Sequence, residues 1–175
     1  MKSVRILCVM VAVSLAATSP AWAQARTFSA DLSGDHEVPV RVTDGGGVVF
    51  FAVNAALTKM KYRLIVDNIS NVNAAHIHLG AVGVNGEVVV TLFSADPAGG
   101  PACGTIAEGE FDASDLSGSL AGQPLSALVA LMRTGGTYVN VHTNDGLPGD
   151  NTGAGDFSSG EIRGQIGAGI LRLLP

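Results

Sequence analysis

The segment Ala74-Ala75-His76-Ile77-His78-Leu79-Gly80 carries two imidazoles two residues apart in a run that otherwise reads as a buried strand. Side chains alternate along a strand, so His76 and His78 point to one face and Ile77 to the other. Two residues of rise separate their Cα atoms by roughly 6.6 Å, from which both rings can reach one ion. A second run, Thr137-Tyr138-Val139-Asn140-Val141-His142-Thr143, puts Val139 and Val141 on one face and Tyr138, Asn140 and His142 on the other. If the two strands are neighbours, three histidines meet. The fourth and last histidine, His36, lies in the loop-like Gly34-Asp35-His36-Glu37-Val38-Pro39 and is a weaker candidate for a further ligand.

The elements that must position these residues are mostly strands. Glycine, 23 residues of it, punctuates short β-branched runs, the pattern of an all-β domain rich in turns. Phe28, Ala30 and Leu32 alternate with polar residues in a first strand, and Val48 to Val53 is apolar on both faces and reads as a central one. Lys59, Lys61 and Arg63 alternate with Met60, Tyr62 and Leu64, so one face is wet and the other packs. Asn85-Gly86 marks a turn before a run from Glu87 to Phe93, and 105–111 reads as a weaker strand. One helix is expected after Pro124, with Leu125, Leu128, Val129 and Met132 at helical spacing and Gly135-Gly136 as its stop. Residues 144–159 read as a solvated, mobile Gly/Asp/Asn loop, before Gly160 to Ile166 and an apolar stretch from Ile170 to Leu174. About eight or nine strands and one short helix indicate an antiparallel β-sandwich or barrel.

Lys2 and Arg5, the apolar run from Ile6 to Ala17, and Ala21-Trp22-Ala23 form the three regions of a secretory signal peptide over residues 1–23. The mature chain, residues 24–175, is then a single domain that works in the periplasm or outside the cell; the Ala-rich signal suits a bacterial periplasm. Removing the signal takes two bases and no acid, leaving 8 basic against 15 acidic residues. That acidic balance argues against nucleic acid as a partner, and no second apolar run approaches the length of a membrane span. Cys8 leaves with the signal, so Cys103 has no partner within the chain and is expected to be a small buried residue.

Four ordered motifs carry a resemblance. Leu32 to Pro39 with its Glu-Val-Pro core, Ala75-His76-Ile77-His78, Tyr138 to Thr143, and Gly160-Glu161-Ile162-Arg163-Gly164-Gln165-Ile166 together resemble the CHRD domain, a module named from chordin and found in many secreted bacterial proteins. The resemblance implies an all-β extracellular module and no particular reaction. It differs at His36, which is not a usual histidine of the family, and at residues 145–158, which look like an insertion. His76-Ile77-His78 is also similar to the copper-binding His-Val-His of copper/zinc superoxide dismutases. Ala81 and Val82 depart from that pattern, and neither a zinc loop nor paired cysteines accompany it.

Two histidines on one strand face and a third on a matching strand point to a transition-metal site, with copper favoured by the export address and zinc the alternative. Tyr138 and Asn140 are candidates to fix a ring tautomer from behind. The competing account is that His76, His78 and His142 are half-buried residues bonded to loop carbonyls. Glu161 and Arg163 share a face two residues apart and read as structural, either as an ion pair or as a tie for the His142 loop. Asp145, Asp150 and Asp156 do not have the spacing of a twelve-residue calcium loop. No Gly-x-Ser-x-Gly, phosphate loop or Cys-x-x-Cys is present, so hydrolase and nucleotide-binding functions have no carrier. Three readings remain: a secreted binding module with a mononuclear histidine site, a copper redox enzyme of dismutase character, and a structural or adhesive module without metal whose partner is an extracellular protein or matrix.

Overall fold

A computed structural model describes residues 26–95, 99 and 103–169. The signal peptide, Gln24, Cys8, the apolar stretch from Ile170 to Leu174 and part of the loop from Asp96 to Gly104 lie outside the described residues. The described residues form nine antiparallel strands and one α-helix: β1 Thr27–Ser33, β2 Gly46–Val53, β3 Lys59–Asp67, β4 Val72–Leu79, β5 Val88–Ser94, β6 Gly104–Asp112, α1 Leu125–Arg133, β7 Thr137–Thr143, β8 Ile162–Gln165 and β9 Gly167–Ala168. They hydrogen-bond in the order β5-β4-β7-β8-β1-β2-β3-β6, with β9 on β1. The two ends of this order come together: the Tyr62 hydroxyl of β3 donates to the Leu92 carbonyl of β5 at 2.7 Å, and the Ser117 amide, just past β6, donates to the Val89 carbonyl at 2.9 Å. Of the two architectures expected, the sheet takes the second, a nearly closed barrel.

Alternation decides which residues fill it. Phe28, Ala30 and Leu32 of β1, Val49, Phe51 and Val53 of β2, and Met60, Leu64 and Val66 of β3 form one buried set with Ala75, Ile77, Val139, Val141 and Ile162. Strand β2 is central, between β1 and β3, as its apolar run predicts, but only one of its faces is deep, since Val48 and Phe50 are half-buried. In α1 the four apolar residues at helical spacing, Leu125, Leu128, Val129 and Met132, are the buried ones and join the same core. Cys103 is exposed rather than buried, because it precedes β6 and so lies outside the paired strand. Val38-Pro39 is a cis peptide.

Candidate metal centre

Strands β4 and β7 lie side by side in antiparallel register, with Ala74 opposite His142, His76 opposite Asn140 and His78 opposite Tyr138. The odd positions Ala75, Ile77, Val139 and Val141 pack into the core, and every one of the even positions is turned to the outer face. An outer sheet face is ordinarily wet, yet six of the seven residues of β7 are buried. Loops cover it. Asn85 donates to the Val38 carbonyl at 2.7 Å, and Arg41 donates to Ser159 at 2.5 Å and to Asn151 at 3.3 Å, which latches the loops around 38–41, 80–86 and 151–160 to one another.

Under this cover His76, His78 and His142 converge, and one ring nitrogen from each lies within 4.8 Å of the others. Their ring centroids are 5.0 to 5.9 Å apart. His78 Nδ1 faces the Gly86 carbonyl at 2.9 Å and His142 Nδ1 faces the Ser158 carbonyl at 3.0 Å. A carbonyl only accepts, so each Nδ1 carries the proton and each Nε2 is left as a bare lone pair. Those two Nε2 atoms are buried and have no hydrogen-bond partner within the protein; His76 Nδ1 is in the same condition. Unprotonated nitrogens held by second bonds to carbonyls are what a metal-binding imidazole needs. Burial is the main reason all three rings resist protonation, His76 being pushed down to about 4 with help from His142 and His78.

The local sequence explains the hold on His78. A Cβ on Gly86 would fall 1.6 Å from the Leu79 carbonyl oxygen, so only glycine lets the β4–β5 turn close and bring its own carbonyl over the ring. The Gly86 amide donates to the Tyr138 hydroxyl at 3.1 Å, and Tyr138 stacks on His78 at 4.9 Å. Arg163 lies 3.5 Å over the Tyr138 ring and donates to Asn85 and to the Ala81 and Val84 carbonyls. Arg163 thus fixes the turn that fixes His78.

The other sequence candidates fall as follows. His36 ends the 3-10 turn Gly34–His36, is exposed, donates through Nδ1 to the Arg163 carbonyl at 3.2 Å, and is not among the three histidines that converge. Tyr138 and Asn140 share the face of the rings but hold neither tautomer, since backbone carbonyls do that and the Asn140 amide is turned to Glu37 at 3.4 Å. Glu161 and Arg163 do not pair with each other. Glu161 accepts from Thr43 at 2.6 Å, Thr143 at 2.5 Å and the Gly155 amide at 2.8 Å, which anchors the loop that carries Ser158. That loop is not solvated throughout: Asp156 and Phe157 are buried, because Glu161 and Arg41, 4.7 Å from the Phe157 ring, draw its second half onto the barrel.

Sequence reasoning missed Glu37. Only 5% of it is exposed, and desolvation raises its carboxyl to about 7 against the opposing pull of Arg163 and the Asn140 hydrogen bond. Its Oε1 and the Asn140 Oδ1 are both buried and unpartnered. Glu37 also lines a cavity of about 410 Å³ with Asp31, Asp35, His36, Val38, Val82, Gly83, Arg163 and Gln165. The only signal in the chain was the charge itself, an acid between His36 and Val38-Pro39.

The fold and site define a nearly closed antiparallel barrel whose histidine strands carry a loop-covered polar face. A family model described as the CHRD domain matches residues 28–150, well over half of the chain and both histidine strands, and the protein belongs to the CHRD domain family. No curated protein matches it. No helix among the described residues is long and apolar enough to cross a membrane.

Proposed function

We propose that this is an extracytoplasmic CHRD module that binds one transition-metal ion, copper in preference to zinc, through His76, His78 and His142. One observation carries the reading: three rings converge with one nitrogen of each within 4.8 Å of the others, each ring has a buried nitrogen without a hydrogen-bond partner, and in two of them the other nitrogen is committed to a backbone carbonyl. Histidines that served only to tie loops would be satisfied by those carbonyls and would have no reason to aim their free nitrogens at one another. Imidazole suits copper and zinc alike; copper is preferred because export removes the site from cytosolic control of that ion. Location outside the cytoplasm rests on the leader-like residues 1–23 and on family membership, since CHRD domains occur in extracellular or periplasmic proteins.

The direct test is a calorimetric titration of the metal-stripped protein with Cu(II), Cu(I) and Zn(II), beside His76→Ala. The His76 ring makes no ring-nitrogen hydrogen bond that holds a loop, so its removal spares the fold. One equivalent binds tightly to the natural chain, and the variant loses affinity on the order of a hundredfold. Equal binding by both would return the histidines to a structural role. A second reading, redox chemistry of dismutase character, draws on His76 and His142 being half-buried rather than fully enclosed. The copper-loaded protein would then consume superoxide, and an inactive copper-loaded protein would leave a binding module.

A further inference from the structure

Nine buried side-chain polar atoms among the described residues have no hydrogen-bond partner, Arg41 Nε, Asn73 Oδ1, Thr137 Oγ1 and Asp156 Oδ1 among them. Of the side-chain atoms in that condition, three are the ring nitrogens of His76, His78 and His142, and two more are Glu37 Oε1 and Asn140 Oδ1. Asn140 stands directly across the β4–β7 pairing from His76 and two residues before His142 on the same face, and it holds Glu37 by its amide. Gly160 packs against the pair: a Cβ there would lie 2.4 Å from Asn140 Oδ1 and 2.7 Å from Glu37 Oε1, so a side chain would displace both. Ser158, two residues earlier, holds His142. The same short segment therefore sets a metal-facing ring and the Glu37–Asn140 pair.

The two sets of atoms are chemically complementary. The ring nitrogens are lone pairs that call for a cation. Glu37 Oε1 and Asn140 Oδ1 are acceptors that call for two donated hydrogens. Three imidazoles leave a histidine-bound ion at least one open position, ordinarily taken by water, and a water there has two O–H groups to give. We propose that Glu37 and Asn140 are positioning residues that accept the hydrogens of a water in the position the three histidines leave open, so that this centre favours a hydrogen-donating ligand over an anion that can only accept. The proposal rests on the metal reading above.

The test loads the purified full chain with one equivalent of Cu(II) and titrates azide, which accepts hydrogen bonds and donates none, following its charge-transfer absorption. Glu37→Gln removes the carboxylate and offers an amide donor in nearly the same shape; Asn140→Leu removes an acceptor and is the second variant in case the first does not fold. Azide binds tighter to either variant than to the natural chain, by about tenfold for Glu37→Gln, the worth of one hydrogen bond to a charged group. Copper stoichiometry stays at one. A purely structural role for the pair would loosen copper and azide together. Azide affinity that stays the same or falls, with copper still bound, overturns the proposal alone. Failure of the natural chain to bind copper overturns the metal reading beneath it as well.

Discussion

Glu161 and Glu37 are both buried carboxylates on the loop-covered face of the barrel, and they are treated in opposite ways. Glu161, 1% exposed, accepts from two threonine hydroxyls and a backbone amide, one partner on each side of the loops it joins. Glu37, 5% exposed, has a long side-chain bond from Asn140 at 3.4 Å and help from the Val38 backbone, and its Oε1 is buried without a side-chain partner. A buried charge is tolerable when hydrogen bonds replace its water, and expensive otherwise. The region around Glu161 is finished as structure. The region around Glu37 and the three histidines is finished only when something else enters it, and unpaired buried groups of this kind concentrate where function does.

The comparison can be broken from its structural side first. Glu161→Ala leaves the Thr43 and Thr143 hydroxyls and the Gly155 amide buried without their acceptor, and urea denaturation should show a loss of about 3 kcal/mol or more. A loss under about 1 kcal/mol would mean that the loop does not depend on it. His76→Ala is the counterpart in the unfinished region. It should change stability of the metal-free protein by about 1 kcal/mol or less while weakening metal binding on the order of a hundredfold, because the ring holds no loop in place.

Acidity sharpens the contrast. The histidines sit below their ordinary value of 6.5 in the folded chain, so between pH 6.5 and about 4 the unfolded chain takes up protons that the folded one refuses, and stability falls as pH falls. Glu37 works the other way. Its carboxyl is raised from 4.5 to about 7, so its contribution is fully present below pH 4.5 and is lost as pH rises through about 7. Across pH 4.5 to 6.5 the two slopes oppose. Glu37→Gln removes one of them, and the urea midpoint of the metal-free variant should fall more steeply on acidification than that of the natural chain; parallel profiles would show that Glu37 titrates as an ordinary surface acid. At the small end, removing the exposed Lys59–Glu110 pair should move neither stability nor metal affinity measurably, as a control on both regions.

The strand alternation made the three histidines legible. Once His76, His78 and His142 were assigned to strands, period two put them on like faces, and adjacency of β4 and β7 did the rest. Helix α1 was readable for the same reason, since its buried residues repeat at the helical period and Pro124 and Gly135 bracket it. Loops have no period, and the errors lie there. The loop pattern offers His36 a reach that the structure does not give it, puts Cys103 inside where it is exposed, and reads 144–159 as solvated throughout, although Glu161 draws Gly155 down and Asp156 and Phe157 are buried. Glu37 went unseen because its burial depends on three loops closing at once. Gly160 was readable as part of a motif, but its close approach to Glu37 and Asn140 exists only in three dimensions.

The central claim is that three imidazoles share one ion, and electron paramagnetic resonance of the protein loaded with one equivalent of Cu(II) tests it most directly. The account predicts a single copper species with coupling to three equivalent-type nitrogens, reduced to two in His76→Ala. A spectrum of copper without nitrogen coupling, or one unchanged by that substitution, would contradict it.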